Sequence, residues 1–486
     1  MAKRSDVERA LKVLDDFRQE VAELEPTEVE CLELECQLQA VLSGLGQACM
    51  AEILARADTN VATVEYQGER WGNRRVSPGN YESVFGPVKL SRSIYSKGGG
   101  GRVLVPLELR VGMVEGRYTP KMGRVVTRTK ALMTAAEAAE LFKEIGVAKV
   151  SESTFDRLPK AIAARYEQHR DTINAAIRET ETVPDAAVVV QVGMDGVMVP
   201  QDGENAKPRG RKTEIPAEPR HERRYGVSNE SATPAEEDGQ SGLAWHEATV
   251  GTVSYWDEDG NLLKTTYVGR MPESGQGTVA SDLEQELHAA LDQRPDLNVG
   301  FASDGDAHQW RLLEALAVPV SQAPERRVRF LLDFFHAAIY VHEAAEAVLD
   351  ESAAKVQAEQ WKATLKEYEN GAERVLRSMR YYRDQESSAA RRETIEKSIN
   401  FLANQARAGR MNYKEALDVN HPIGTGTTEA AAKTLVSVRM KRAGARYDQH
   451  GGQTILTFRA HLLSERFETL WEKIDETYTG VIREAA

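Results

Sequence analysis

The chain has 486 residues, a formal net charge of −13 and 41% hydrophobic residues, which allows two to four domains with a substantial core. The acidic balance excludes a uniformly basic nucleic-acid coat, so any contact with nucleic acid must come from local basic patches. Neither a signal peptide nor an apolar run long enough to span a bilayer is predicted, which points to an intracellular protein.

The three cysteines, Cys31, Cys36 and Cys49, fall in one predicted helical region without a CxxC pair or a nearby histidine. This spacing argues against a zinc site or a disulfide framework and fits a reducing compartment.

Residues 1–58 are predicted to form an N-terminal helical region, with helices over 5–24 and 27–56. We expect this pair to cover a neighbouring domain, and a dimerisation element is the alternative. Residues 59–115 change to short strands and turns, which predicts a small β-rich module with a hairpin turning at Gly86-Pro87. Its arginines and aromatic residues fit a DNA-contacting surface as well as an ordinary small β-subdomain.

Residues 116–180 are predicted to contain a helix-turn-helix. A short helix from Thr134 ends at Gly146, a connector follows, and a second helix starts at Ser151 or Ser153. Candidate groove contacts on the second helix are Thr154, Arg157 and Lys160. The alternative is a helix pair that binds nothing.

A core is predicted to begin in residues 181–340, where two aspartates follow apolar runs. Asp195 lies inside a valine-rich strand, a costly position for a carboxylate unless it is paired or holds a metal. Asp304 follows a short strand and precedes a helix. Residues 202–242 have no apolar periodicity and are predicted to be a disordered or DNA-ordered insertion.

The order of the predicted elements indicates the fold class. Three antiparallel strands, a helix and two further strands, the last over residues 328–333, are the order of an α/β, ribonuclease H-like core. Residues 341–420 are predicted to be an all-α insertion in that core, or else a separate helical domain.

Residues 421–486 are predicted to complete the core. Thr427 or Thr428 is expected to cap a helix with Glu429 in its first turn, where a capping glutamate is the simplest interpretation. Basic residues follow at helical or near-helical spacing and are predicted to contact a DNA backbone, with a solvated face as the alternative: Lys433, Arg439, Lys441, Arg442 and Arg446.

Asp333 and His336 sit where the fifth strand ends. They fit a capping aspartate and a core histidine. Alternatively, His336 is catalytic and contacts the scissile phosphate or orients an acid.

Asp195, Asp304 and Glu429 together form the set of hard oxygen ligands that a pair of divalent cations needs. They occur in MDGVMV, SDGDAHQW and HPIGTGTTEAAAKTLV, and with LDFFHA and VRMKRAGARYDQHGGQTILTFRA these segments resemble bacterial insertion-sequence DDE transposases, closest to the ISKra group. The resemblance runs from about Tyr81 to Trp471. It departs at Ala430, where a serine is expected, and at Tyr447, where a tryptophan is expected.

The resemblance implies Mg²⁺-dependent DNA cleavage and strand transfer. Asp195, Asp304 and Glu429 would hold two Mg²⁺ ions, with Mn²⁺ as the alternative metal. The implied partners are transposon-end and target DNA, bound by a homodimer or higher oligomer in the bacterial cytoplasm at the nucleoid, without a membrane. Two rival functions remain: a ribonuclease H-like nuclease without strand transfer, and a non-catalytic DNA-binding protein.

Overall fold

The computed structural model describes residues 5–25, 30–97, 103–146, 148–202, 243–322 and 327–485. These residues form a mixed α/β fold with two five-stranded sheets and many helices. Apart from Asp202, the insertion predicted at residues 202–242 lies outside the described residues.

The N-terminal helices are α1 (Asp6–Glu23) and α2 (Cys31–Arg56), which pack against each other. Ser5 caps α1 through a capping box with Glu8. Among the residues described, α2 is the one helix whose length and apolar composition would suffice to cross a membrane, with 6% of its apolar window buried. The expectation that no apolar run is long enough was therefore wrong on length and composition.

The first sheet has the order β10-β1-β2-β3-β4. Its strands are β1 (Thr63–Tyr66), β2 (Glu69–Ser83), β3 (Gly86–Ser96), β4 (Val103–Leu104) and β10 (Arg483–Ala485), and the short helix α3 (Pro106–Arg110) follows β4. The hairpin turns at residues 84–85, because Gly86 already pairs with Ser83. The aromatic side chains Trp71, Tyr81 and Tyr95 are buried in the module, so they are core residues and not a stacking surface for DNA.

The C-terminal strand β10 pairs antiparallel with β1, with Thr63 opposite Ala485. Residues 421–486, predicted as part of the core, thus also complete the N-terminal sheet. Pairing between strands over 400 positions apart leaves no periodic signal in the sequence, which explains why it was not predicted.

Residues 116–180, predicted to contain a helix-turn-helix, form the helices α4 (Pro120–Leu132), α5 (Ala135–Glu144) and α6 (Glu152–Thr180). Thr134 and Glu137 form a capping box at the start of α5, and the Ser151 hydroxyl accepts from the Thr154 amide at the start of α6. Apolar residues of α6, including Phe155 and Ile162, pack into a core shared with the C-terminal helices. The helix α6 is therefore long, and its buried face packs against the C-terminal helices.

The second sheet has the order β7-β6-β5-β8-β9. Its strands are β5 (Val189–Asp202), β6 (Leu243–Trp256), β7 (Leu262–Arg270), β8 (Asn298–Ser303) and β9 (Val328–Leu332). The first three run antiparallel, whereas β8 and β9 run parallel to β5 and to each other. Two helices, α7 (Gly277–Gln293) and α8 (Ala307–Val320), pack against Val190 and Val192 on one face of β5.

A helical block follows β9. It contains α9 (Phe334–Val348), α10 (Glu351–Glu367), α11 (Gly371–Gln385), α12 (Ala389–Arg407) and α13 (Tyr413–Leu417), which share one core. The chain then returns to the sheet through α14 (Gly426–Ala431), a π-helical turn (Ala432–Ser437), α15 (Val438–Met440), α16 (Gln449–Leu463) and α17 (Phe467–Glu476). Leu435 and Leu456 from this segment pack on Val197 and Val199 of β5.

Candidate active site at the carboxyl edge of the central sheet

The strand register brings the two predicted aspartates side by side. In the parallel pair β5–β8, Gly193 lies opposite Ala302, so two further residues along each chain lead to Asp195 and Asp304. Neighbouring strands lie about 4.8 Å apart, and residues at matching positions project from the same face. Both carboxylates therefore lie at the end of the second sheet where β8 stops. We call this sheet the central sheet and this end its carboxyl edge.

Residues 421–425 run across the same face and bring Glu429 to that edge. His421 is 1% exposed and lies over Gly300, where an added Cβ would be 2.3 Å from its ring. The Pro422 carbonyl accepts a hydrogen bond from Gln191 at 3.2 Å, and the Ile423 carbonyl accepts one from the Phe334 amide at 3.0 Å. The path of this segment is thus set by β5, β8 and α9.

Glu429 lies in the first turn of α14, but neither Thr427 nor Thr428 is the cap. Thr425 is the N-cap residue, and its carbonyl accepts from the Glu429 amide at 2.8 Å. Thr428 is buried, and its hydroxyl lies 2.8 Å from that of Thr252 on β6. A Cβ on Gly193 would come within 2.2 Å of the Thr428 hydroxyl, so glycine is required for α14 to lie on the sheet here.

Asp333 fastens this segment to the sheet. Its carboxylate accepts from the Thr425 amide at 2.5 Å, from the Thr425 hydroxyl, and from the His336 amide at 2.7 Å. Its own amide donates to the Ser303 carbonyl at 2.9 Å, next to Asp304. The side chain is 1% exposed. Asp333 therefore caps α9 and at the same time fixes the start of the glutamate helix.

The acids of this edge influence one another electrostatically. Burial, together with the negative charges of Asp304 and Glu429, raises the pKa of Asp195 to about 6, and Glu247 adds to this effect. The Gly196 amide donates to Asp195 Oδ1 at 2.7 Å and opposes the shift. Glu429 is exposed, with Lys433 Nζ 3.8 Å from its carboxylate. Three acids from distant parts of the sequence thus converge on one edge.

The donor set suits a hard divalent cation, because all three candidate ligands are carboxylates. Burial, and after it the charges of Asp304 and Glu429, disfavour the ionised form of Asp195, and a bound cation would offset both effects. Across the described part of the chain, no three His, Cys, Asp or Glu side chains are already close enough together to hold a metal ion. The residues fit the ion in chemistry, and the two-ion site remains a prediction.

His336 lies beside this edge, in an aromatic group. Its ring contacts those of Tyr340 and Phe401 at centroid distances of 5.5 and 5.9 Å. Phe401 in turn abuts Gly305, where an added Cβ would be 2.7 Å from its ring. Burial raises the pKa of Tyr340, with Glu343 and Asp304 adding to the shift. His336 is half-buried in this aromatic group, and its catalytic role remains a prediction.

Several residues predicted to bind DNA are engaged within the protein. Arg439 is 3% exposed and donates to the Met133 carbonyl at 2.7 Å and to the Tyr447 hydroxyl at 3.2 Å. Lys160 forms ion pairs with Asp156 at 3.2 Å and Asp448 at 3.0 Å. Arg439 is therefore buried and not the surface contact that was predicted, whereas the DNA-binding role of Lys160 stays a prediction. Their spacing is equally compatible with a helix face that packs against another part of the protein.

The same holds in part for the basic residues nearby. Arg442 makes two hydrogen bonds to the carboxylate of Glu137, at 2.8 and 2.6 Å. Arg442 and Arg446 both line a cleft of about 1000 Å³, which lies between helices α4–α6 and the C-terminal segment. The Thr154 hydroxyl lies 2.9 Å from that of Ser151 at the start of α6. Lys433, Lys441 and Arg157 are exposed and remain candidate DNA contacts.

Three residues that matter to this edge were not predicted, namely Gly193, Thr252 and Gln309, and Thr428 was predicted only as a possible helix cap. Gly193 and Gln309 lie close to the two aspartates in sequence, and a glycine inside a buried strand is a known signal of close approach. The pairing of Thr428 with Thr252 had no signal in the sequence.

Comparisons with known proteins leave the family open. No family model and no curated protein matches the sequence. Among solved structures, the chain is similar to one described as the crystal structure of a pre-cleavage Mos1 transpososome, with 11% identity, 60% of this chain and 79% of that chain covered, and a TM-score of 0.14. A TM-score this low does not establish a shared fold.

Proposed function

We propose that this chain is a metal-dependent DNA transposase of the insertion-sequence type, in which Asp195, Asp304 and Glu429 are the catalytic acids. The observation that supports the proposal is that Asp304 and Glu429 lie near enough to Asp195 to add to the effect of burial in raising its pKa. The strand order β7-β6-β5-β8-β9, with three antiparallel strands followed by two parallel ones, supports the ribonuclease H-like core predicted from the sequence.

Each part of the edge has a role in this proposal. Asp195, Asp304 and Glu429 would hold the cations at the place where the scissile phosphodiester binds. A Mg²⁺ pair at such a site supplies an activated water or 3′-hydroxyl and stabilises the leaving oxygen. Asp333 and Thr428 orient the glutamate helix, and His336 lies next to Phe401 at the start of α9.

The two rivals are separated by different observations. A non-catalytic DNA-binding protein has no need for a buried aspartate with two further acids near it, so the position of Asp195 favours the catalytic proposal. A nuclease without strand transfer would need the same acids. Only the joining of a cut 3′ end to target DNA distinguishes it from a transposase.

The test uses transposon-end DNA, Mg²⁺ and a target plasmid. Glu429→Gln keeps the size of the side chain but removes its charge, so cleavage should fall on the order of 1,000-fold, because several kcal/mol of transition-state stabilisation depend on the ions. The matched control is Glu346→Gln, an exposed acid on α9, which should cut like the parent.

If Glu429→Gln cuts as well as the parent, Glu429 is only part of the helix and the proposal fails. If the parent cuts but joins no ends to the plasmid, the nuclease function replaces the transposase.

A further inference from the structure

The β5–β8 pairing ends just before the two aspartates. The two strands pair from Val189 opposite Asn298 to Gly193 opposite Ala302. Beyond that point β8 leaves the sheet at Asp304, and Gly305 turns the chain with φ +113. β5 continues to Asp202, so within the described ranges its β8-facing edge has no strand beside Asp195.

The side chain of Gln309 occupies this place. With its amide oriented so that every hydrogen bond is satisfied, Gln309 donates to the Met194 carbonyl at 3.0 Å and accepts from the Gly196 amide at 3.2 Å. These are the two contacts that a residue of a parallel strand makes with the residues on either side of its partner. The carboxamide therefore acts as a one-residue strand opposite Asp195.

The position of Gln309 is itself fixed. Asp306 caps α8 by accepting from the His308 and Gln309 amides, each at 2.8 Å. The second amide hydrogen of the Gln309 side chain reaches the Ser303 hydroxyl at 2.9 Å, and the residue is 4% exposed. Both donors and the acceptor of the carboxamide are thus used, and water cannot easily replace them.

The Gly196 amide links Gln309 to the candidate active site. The same N–H that donates to Gln309 also donates to Asp195 Oδ1 at 2.7 Å. The orientation of this peptide group therefore decides where the Asp195 carboxylate lies.

We infer that Gln309 is a positioning residue for Asp195, because its carboxamide replaces the strand that departs at Asp304 and so lets the two aspartates share one edge. The consequence for metal binding rests on the proposed function, whereas the backbone contact itself does not.

The experiment compares Gln309→Met with Gln405→Met. Methionine keeps the length of glutamine but cannot form the two backbone hydrogen bonds. Gln405 is a buried glutamine in the helical block that accepts from Arg410 at 2.9 Å, so its replacement controls for the loss of a buried amide. Two quantities are measured on the full chain: amide hydrogen exchange at Gly196, and Mn²⁺ affinity by the paramagnetic signal of the free ion.

Gln309→Met should speed exchange at Gly196 by on the order of tenfold or more and weaken Mn²⁺ binding by about 10- to 100-fold, the usual effect of removing a group that orients a metal ligand. Gln405→Met should change neither quantity. Unchanged exchange and unchanged Mn²⁺ affinity in Gln309→Met would overturn the inference.

Failure of the proposed function is separately visible. A parent protein without Mn²⁺ affinity would refute the metal site, while exchange at Gly196 would still decide whether Gln309 holds the strand. If Gln309→Met does not fold, Gln309→Asn serves instead. Asparagine keeps the carboxamide, but its shorter side chain cannot reach both the Met194 carbonyl and the Gly196 amide. Parent-like exchange in that variant would equally overturn the inference.

Discussion

The carboxyl edge of the central sheet brings like charges together, whereas the cleft between α4–α6 and the C-terminal segment pairs opposite charges. At the edge, Asp195 lies among other acids and its pKa is raised to about 6. In the cleft, Lys160 lies between Asp156 and Asp448, and Arg442 binds Glu137 through two hydrogen bonds. Lys160 and Arg442 are thus paired with acids of the same chain, whereas Asp195 lies near further acids.

This difference indicates which region is arranged for an external ligand. Grouping like charges costs stability and is useful only if something binds there. Cations already paired within the fold must lose a partner before they can contact a phosphate. We therefore expect DNA contacts from exposed residues such as Arg157 and Lys441, and not from Arg439.

The largest expected effect on stability tests how Asp333 anchors the segment that leads to Glu429. Asp333→Ala removes the acceptor of three donors, the Thr425 amide and hydroxyl and the His336 amide, and should cost on the order of 3–5 kcal/mol. The control Asp350→Ala removes an exposed cap of α10 and should cost about 1 kcal/mol. Urea unfolding measures both, and equal losses would show that Asp333 is an ordinary cap.

The next effect concerns the cleft. Arg439→Ala leaves the Met133 carbonyl without its donor inside the protein and should cost about 2–3 kcal/mol. Arg442→Ala removes an exposed ion pair and should cost less than about 1 kcal/mol. Thermal unfolding of the two variants compares them directly. A milder loss for Arg439→Ala than for Arg442→Ala would contradict the buried, structural role of Arg439.

The third prediction concerns a substitution that should stabilise the protein. The folded pKa of Asp195, about 6, lies above its ordinary value of 3.8, so the folded state binds the proton more tightly than the unfolded chain. Stability is therefore lost as the pH rises from about 4 to 6. In EDTA at pH 8, Asp195→Asn should raise the free energy of unfolding by about 1–3 kcal/mol, discounted for partial exposure.

This gain should vanish near pH 3, where the aspartate is protonated in both states. Unfolding curves at several pH values measure it. A destabilised Asp195→Asn at pH 8 would show that the acids do not repel one another.

The smallest effect on stability comes from the exposed cations. Arg157→Ala combined with Lys441→Ala should leave the free energy of unfolding within about 0.5 kcal/mol of the parent. The double variant should bind DNA more weakly, with the slope of log affinity against log salt shallower by about 2. Gel-shift titrations at several salt concentrations measure this, and an unchanged slope would place the DNA contacts elsewhere.

The sequence by itself determined the elements whose signals are local. The valine run predicted β5, and the segment from Thr134 to Gly146 predicted α5, because strand burial and helix ends depend on residues within a few positions. Asp195 could be singled out for a related reason, since a carboxylate inside a buried strand is costly, whereas Asp304 and Glu429 were singled out only together with it as an ordered set.

Only the tertiary structure decided how these elements meet. The spacing of Arg439 and Lys160 is the same for a solvated helix face and for one that packs on another element, so their partners were not predictable. The cap at Thr425, the contact of Thr428 with Gly193, and the pairing of β10 with β1 likewise join positions that are separate in sequence. Gln309 shows the reason most clearly: its role exists only because one strand departs where its neighbour continues, and strand register is a property of the folded sheet.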